Sequence, residues 1–372
     1  MSGMRYLVKI SFIGTVFLLV AHLLFSCSSV KSISIDTYNP AAITFPPEVK
    51  TVMIVNNSAQ QPDGIGHQYG QLTIPLSKLS SAFTDMISDS VLYVSSDSTA
   101  YYFCKSLGKG IVESPVFYDV RLCEDTLRRD SVFYSSRPFK ADDVAALCDD
   151  YGVDAIISLD RLIFQTAFYE MGVKDFYDES YIKTSVSGEL RAFWPGQSEV
   201  YTFPFSDSLK WSSDENSSFD YPFVKLTADD IRLTMLYLSE LMGYNMHVNF
   251  IPFWINDKRW YYNSISSEWR RGTVFAAAEK WPEAASVWEP LLAKTSKWER
   301  RAQLSSNLAL CNEMTGDFEK AASYAEKSYH LYKEHAGEDS ANTKLQSQYM
   351  EVLKKRIETD KTLSKQLREN QN

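Results

Sequence analysis

Histidine is scarce in this chain, five among 372 residues, and the spacings that histidine chemistry needs are missing. There is no His-Glu-x-x-His helix, no Gly-x-Ser-x-Gly elbow, no Walker loop and no Cys-x-x-Cys pair. Zinc hydrolysis, acyl transfer, nucleotide binding and dithiol exchange therefore lose their usual sequence marks, and no cofactor or metal is expected. His330 and His335 stand five apart, which points them to different faces of a helix and spoils a metal pair. Basic residues are outnumbered, 38 Lys and Arg against 47 Asp and Glu, for a net charge of −9. That balance makes phosphate backbones and anionic lipid headgroups poor general partners, and no nucleic acid is expected. Beyond residue 27 no run of about 18 uninterrupted apolar residues occurs, so no later spanning helix is expected.

What the chain does have begins at its N-terminus. Arg5 and Lys9 precede the apolar run Ile10 to Phe25, which leads into Leu24-Phe25-Ser26-Cys27. An ordinary secretory signal wants small residues one and three positions before the cut, whereas a cut before Cys27 places leucine at the third. The pattern resembles a bacterial lipoprotein signal, which implies that residues 1–26 leave and that Cys27 is acylated and bound to a lipid bilayer. Loss of Arg5 and Lys9 takes the net charge from −9 to −11. Ser28-Ser29-Val30-Lys31 has no acidic cluster, and the expected place is the cell envelope, at the outer membrane with the body facing the periplasm.

Residues 27–49 read as a flexible tether, rich in serine and then denied a helix by Pro40, Pro46 and Pro47. An α/β domain is expected over 50–262. Thr51 to Val55 is an apolar run ended by Asn56 and Asn57, as in a buried strand. Val144, Leu147, Cys148 and Tyr151 recur at helical spacing before Gly152, a natural cap. A second apolar strand follows from Ala155, through Ile157, to Leu162–Phe164. Thr184 to Trp194 alternates with period 2, turns at Pro195-Gly196 and returns through Tyr201, Phe203 and Phe205 as a hairpin. Thr227 with Asp230 reads as a capping box for a helix that Gly243 stops.

The C-terminal third is helical. Ala302 to Lys333 resembles a tetratricopeptide unit, with Leu308, Ala309, Gly316, Phe318, Ala321 and Ala325 at its packing positions. A degenerate copy precedes it through Gly272, Phe275, Trp281, Ala284 and Trp288, with Glu279 in the place of the turn glycine. These repeats are assigned to 263–335, and Leu345, Tyr349, Leu353 and Ile357 predict a long capping helix within 336–372. The fold class expected is a mixed-sheet α/β domain followed by an α-helical, tetratricopeptide-like repeat domain.

Val52 to Asn56 and Ala145 to Leu159, in their order of strand, helix, Gly-Val-Asp-Ala and strand, resemble the small α/β domain of envelope lipoproteins of the CsgG and TolB N-terminal group. Pro46-Pro47 before Val52–Asn57, Ile251-Pro252-Phe253-Trp254, Arg259-Trp260-Tyr261-Tyr262 and the helical tail together resemble a lipoprotein family of Bacteroides-type bacteria. That resemblance spans most of the chain and carries no activity with it.

Other motifs read as structure. Gly64 to Gly70 has the wrong spacing for a dinucleotide loop, and Ser106-Leu107-Gly108-Lys109 matches Ser-x-x-Lys without the companion motifs. Asp142-Asp143 and Asp149-Asp150 diverge on a helix and read as solvated. Cys104 and Cys123 are the only pair near enough in sequence to suggest a bridge, which the spacing leaves open. Six of eight tryptophans fall between Trp254 and Trp298. They read as a buried joint between domains through Trp254, Trp260 and Tyr261, with a stacking platform for a sugar or peptide as the alternative. The expected function is a non-enzymatic protein-interaction scaffold of the envelope. An envelope protein or peptide would bind the repeats through Arg270, Arg271, Gln303, Asn307 and Asn312. The alternative is a glycan-binding lipoprotein for nutrient capture.

Overall fold

The computed structural model describes residues 30–63, 65–66, 95–96, 98–125, 127–128, 130–172, 178–212 and 228–369. Cys27, the capping-box Thr227 and most of the Gly64–Gly70 loop lie outside the described residues. The chain divides into two units, one of residues 40–253 with 365–372 and one of residues 1–39 with 254–364. The first is a mixed-sheet α/β unit and the second a helical repeat unit, as the sequence patterning implies.

In the α/β unit, β2 (Thr51–Asn56) is central, parallel to β3 (Asp119–Leu122) on one side and to β4 (Ala155–Gly172) on the other. β5 (Asp178–Phe193) and β6 (Tyr201–Ser212) continue the sheet antiparallel, for the order β3-β2-β4-β5-β6. Strand alternation explains why residues 52–55 of β2 are all apolar and buried. Val52 and Ile54 join Phe103, Leu107 and Ile111 of α1 (Thr99–Val112) on one face. Met53 and Val55 join Val144 and Cys148 of α2 (Ala141–Tyr151) on the other. A strand covered on both faces needs no polar alternation. Gly152 caps α2 in the left-handed region, φ 59°, as its position predicts.

Asp154 fastens the edge of this core. Its Oδ2 accepts from Lys50 N at 2.9 Å, Thr51 N at 2.8 Å and Thr51 Oγ1 at 2.8 Å, joining the starts of β2 and β4. Burial alone would raise its pKa, but these donors outweigh it and hold the carboxyl below its ordinary value.

Gly243 does not stop its helix. α3 runs Ala228–Asn245, and Gly243 sits inside it, where a Cβ would collide with Phe103 O of α1. The missing side chain lets two helices touch backbone to backbone, a need that the local sequence does not distinguish from termination. Ser106 lies buried inside α1, not at a helix start, so the Ser-x-x-Lys arrangement is a packing motif. Cys104 and Cys123 are separate thiols, and burial pushes that of Cys104 up to about 12.

The helical unit corrects the expected tether. Val30–Asn39, expected as part of a flexible tether, is a strand, β1, and it pairs with β7 (Phe253–Tyr262). Ser and Pro deny a helix, but Ile33, Ile35 and Thr37 alternate with polar residues, and that is enough for a strand once a partner is present. Residues 40–49 are folded too, with Ala41, Ile43, Phe45 and Val49 buried.

Behind the ribbon stand two helical hairpins, α4 (Ser267–Ala277) with α5 (Trp281–Lys294) and α6 (Trp298–Met314) with α7 (Phe318–Ala336). α8 (Ala341–Glu369) lays Tyr349 and Leu353 on Ala309, Ala321 and Ala325. Tyr262, Trp269, Trp288 and Tyr332 form the main core with Leu304 and Leu308. Glu279 takes φ 57°, in the left-handed region that Gly316 occupies at φ 83° in the other hairpin. The turn keeps its geometry although the residue has changed.

Candidate functional site

The ribbon decides what the repeats can do. Ser32 Oγ donates to Arg259 O, Thr37 Oγ1 to Ile255 O and Asn256 Nδ2 to Asp36 Oδ1, so β1 and β7 run in opposite directions. β7 then bonds to α6. Asn307 Oδ1 accepts from Tyr262 N at 2.7 Å and Asn307 Nδ2 donates to Tyr262 O at 2.8 Å. Arg259 Nε and Nη2 donate to Glu313 at 2.9–3.1 Å, and Tyr349 OH of α8 donates to the same carboxylate at 2.8 Å. Burial by itself would lower the pKa of Arg259, but the Glu313 carboxylate raises it, while burial and that carboxylate push the Tyr349 phenol well up. The result is a guanidinium held charged and a phenol held neutral on one buried carboxylate.

Three of the five expected partner-binding residues are therefore internal. Asn307 is fully buried on the backbone of β7, Gln303 is buried, and Asn312 is buried with Nδ2 on Leu308 O at 2.6 Å. Being buried, they line no open groove, and for Asn307 it is the chain's own ribbon that supplies the backbone it binds. Arg270 and Arg271 are exposed on α4. The aromatic cluster also needs correcting. Tyr261 is buried and Trp260 half-buried within the core of the helical unit itself, but Trp254 is 67% exposed.

Trp254 marks the site. β7 places its ring at the end of the ribbon where the chain passes into and out of the α/β unit, 4.7 Å centroid to centroid from Tyr38 of β1. Below it lies a cleft of about 230 Å³, lined among others by Asp36, Tyr38, Trp254, Phe318, Arg356 and Asp360. The Arg356 guanidinium lies over the Phe318 ring at 4.9 Å and donates from Nη1 to Tyr38 O at 3.2 Å. Its Nε is buried with no hydrogen-bond partner. An exposed indole on a tyrosine, with a guanidinium and two carboxylates at the rim, offers stacking and paired hydrogen bonds but no nucleophile with an adjacent base. The aromatic pattern offers an exposed platform only as the alternative to a buried joint, and it does not separate Trp254 from Trp260, since the two differ only in their place on the strand.

The α/β unit offers less. A cleft of about 780 Å³ beside Ala145, Asp149, Gly152 and Trp194 lies where β2 and β4 begin. Ligands of such sheets sit outside the carboxyl ends. At that opposite end, Asp160 is fully buried and accepts from Ser158 Oγ at 2.5 Å, Asn57 Nδ2 at 3.0 Å and Arg191, which also pairs with Glu189. Burial raises its pKa against those bonds, and its oxygens are spent on the fold. Among the described residues no group of three His, Cys, Asp or Glu could hold a metal ion, and no helix is long and apolar enough to cross a membrane.

Comparison with known proteins gives family matches without an activity. Residues 49–262 match the family described as Domain of unknown function (DUF8603), and residues 270–355 match one described as Domain of unknown function (DUF6340). No curated protein matches the chain. Among solved structures, the hypothetical protein CT253 from Chlamydia trachomatis is similar at 10% identity, over 53% of this chain and 96% of that one. Its TM-score of 0.23 carries no argument.

Proposed function

The chain belongs to the family described as Domain of unknown function (DUF8603), which covers more than half of it; since that description names no activity, we propose a function from the chain's own residues. The protein is a lipid-anchored, non-enzymatic binding protein of the cell envelope, held at the membrane by Cys27 and recruiting a protein partner at the Trp254–Tyr38 shelf. The observation that carries this reading is Trp254, a large aromatic left 67% exposed where Tyr261 and Tyr262, at the other end of the same strand, are buried. Trp, Tyr and Arg dominate the energetics of protein interfaces, and Trp254, Tyr38 and Arg356 stand together at one cleft. The expected binding through the repeat groove gives way to binding at the end of the ribbon.

The exposed indole between carboxylates also favours a second reading, a sugar ring stacked on Trp254 with its hydroxyls on Asp36 and Asp360. One comparison separates the two. Full-length protein and its Trp254→Ala variant are cross-linked in the envelope and recovered, and the purified chains are applied to a glycan array. A dominant protein partner lost in the variant, with an unchanged melting curve, supports the first reading. Retention of a glycan that the variant loses supports the second. Unchanged recovery and no glycan binding would sink the shelf as the site.

A further inference from the structure

Strand β1 starts at Val30, only three residues after Cys27. Three extended residues reach about 10 Å, so an acylated Cys27 leaves no slack between the bilayer and the folded helical unit. The bonds between Ser32 and Arg259 and between Asp36 and Asn256 set the register of the ribbon and place Val30 beside the end of β7 at Tyr262. There the chain turns through residues 263–266 into α4.

The surface at that end is unlike an ordinary solvated one. Ile265 is 89% exposed at the turn, Val274 is 62% exposed on α4, and Val30 is 44% exposed at the strand start. Lys31, Arg270 and Arg271 are exposed among them, with Glu268 as an opposing charge. Isolated apolar residues at a surface need no explanation. A bare isoleucine at a turn tip, followed by Arg270 and Arg271 on the segment into which β7 leads beside Val30, itself within about 10 Å of an acylated Cys27, fits a lipid interface, where the apolar tip enters the acyl boundary and the cations meet phosphates. The chain's overall negative charge does not oppose this, because charges beyond about 8 Å are screened at physiological salt and the local excess decides.

We propose that this end of the helical unit, carrying Val30, Lys31, Ile265, Arg270, Arg271 and Val274, is a bilayer-docking surface that seats the unit directly on the membrane. The proposal rests on acylation at Cys27. It gives Arg270 and Arg271 lipid headgroups as partners in place of a protein.

The test uses full-length lipidated protein reconstituted into vesicles of phosphatidylethanolamine with a minority of phosphatidylglycerol. A Cys123→Ser background leaves the buried thiols of Cys104, Cys148 and Cys311 as the other described cysteines. Bimane is then attached at Ile265→Cys or, at the far end of β7, at Trp254→Cys, and nitroxide-labelled lipids are added as quenchers. Eight strand residues separate the two positions from Tyr262 to Trp254, roughly 26 Å. Quenching several-fold stronger at 265 than at 254, and reduced by Arg270→Glu with Arg271→Glu while the vesicles still float the protein, is the expected result. Equal or weaker quenching at 265 in protein that floats overturns the docking surface alone. Full-length protein that does not float, or floats as well after Cys27→Ser with the leader removed, overturns the anchored reading and this proposal with it.

Discussion

Asn307 holds Tyr262 by both atoms of its amide, accepting from the Tyr262 N–H at 2.7 Å and donating to the Tyr262 carbonyl at 2.8 Å. A helix side chain thus stands in for a neighbouring strand. Both backbone groups are otherwise out of reach of water, so the amide satisfies what burial would leave bare.

Asn307→Leu keeps the volume and removes both bonds. Each abandoned backbone group costs about 1–3 kcal/mol, so the variant should lose roughly 2–5 kcal/mol. Denaturant unfolding followed by tryptophan fluorescence reads the loss, and an unchanged midpoint would contradict it.

The buried Arg259–Glu313–Tyr349 set behaves as a unit. Glu313→Ala leaves a buried guanidinium unpaired and should cost about 3–5 kcal/mol. Replacing all three, as Arg259→Met, Glu313→Leu and Tyr349→Phe, should recover most of that loss. Thermal melts of the single and triple variants check the pair of outcomes.

Asp154 sets part of the acid limit of the α/β unit. Its folded pKa is depressed, so its stabilisation is fully present above the ordinary value of 3.8 and is lost as pH falls through the lower folded value. Asp154→Asn should cost about 1–2 kcal/mol at neutral pH, since it weakens three donated bonds, and less as the pH drops below 4. Urea midpoints measured from pH 3 to pH 7 would converge for the two proteins at the acid end.

Glu279 and Gly316 make opposite predictions at equivalent turns. A side chain in the left-handed region costs about 1–2 kcal/mol, partly offset by glycine's larger unfolded-state entropy. Glu279→Gly should therefore gain roughly 0.5–1 kcal/mol and Gly316→Ala lose about 1 kcal/mol. Differential scanning calorimetry of both variants would show shifts of opposite sign.

The parts of the fold legible in the sequence are those whose causes are local. Residues 52–55 of β2 are all apolar because both faces of the strand are covered, and α2 shows its face at helical spacing and its stop at Gly152. α1 went unread because Gly108 and Gly110 weaken a helix in isolation; here they let it approach Ile54 and His247. β1 stayed hidden because its partner comes some 220 residues later. The site suffered for the same reason. Asn307, Gln303 and Asn312 carry polar side chains that suit a groove, yet all three are buried, Asn307 by a strand distant in sequence. Trp254 and Trp260 look alike in composition, and the ribbon's register alone leaves one in solvent and half covers the other.

The ribbon also makes the α/β unit an insertion. Asp36 and Asn256 must meet across 220 intervening residues, and closing so long a loop in an unfolded chain costs about 5 kcal/mol. The inserted unit lightens that cost by itself, since Ile43 N donates to Asn249 O at 3.2 Å and so joins its own entry and exit. Once it has folded, the two strands emerge side by side and the long loop is already closed. Assembly therefore has an order built into its connectivity, in which the interrupting segment folds first and the helical unit, begun by the earliest strand, is completed last.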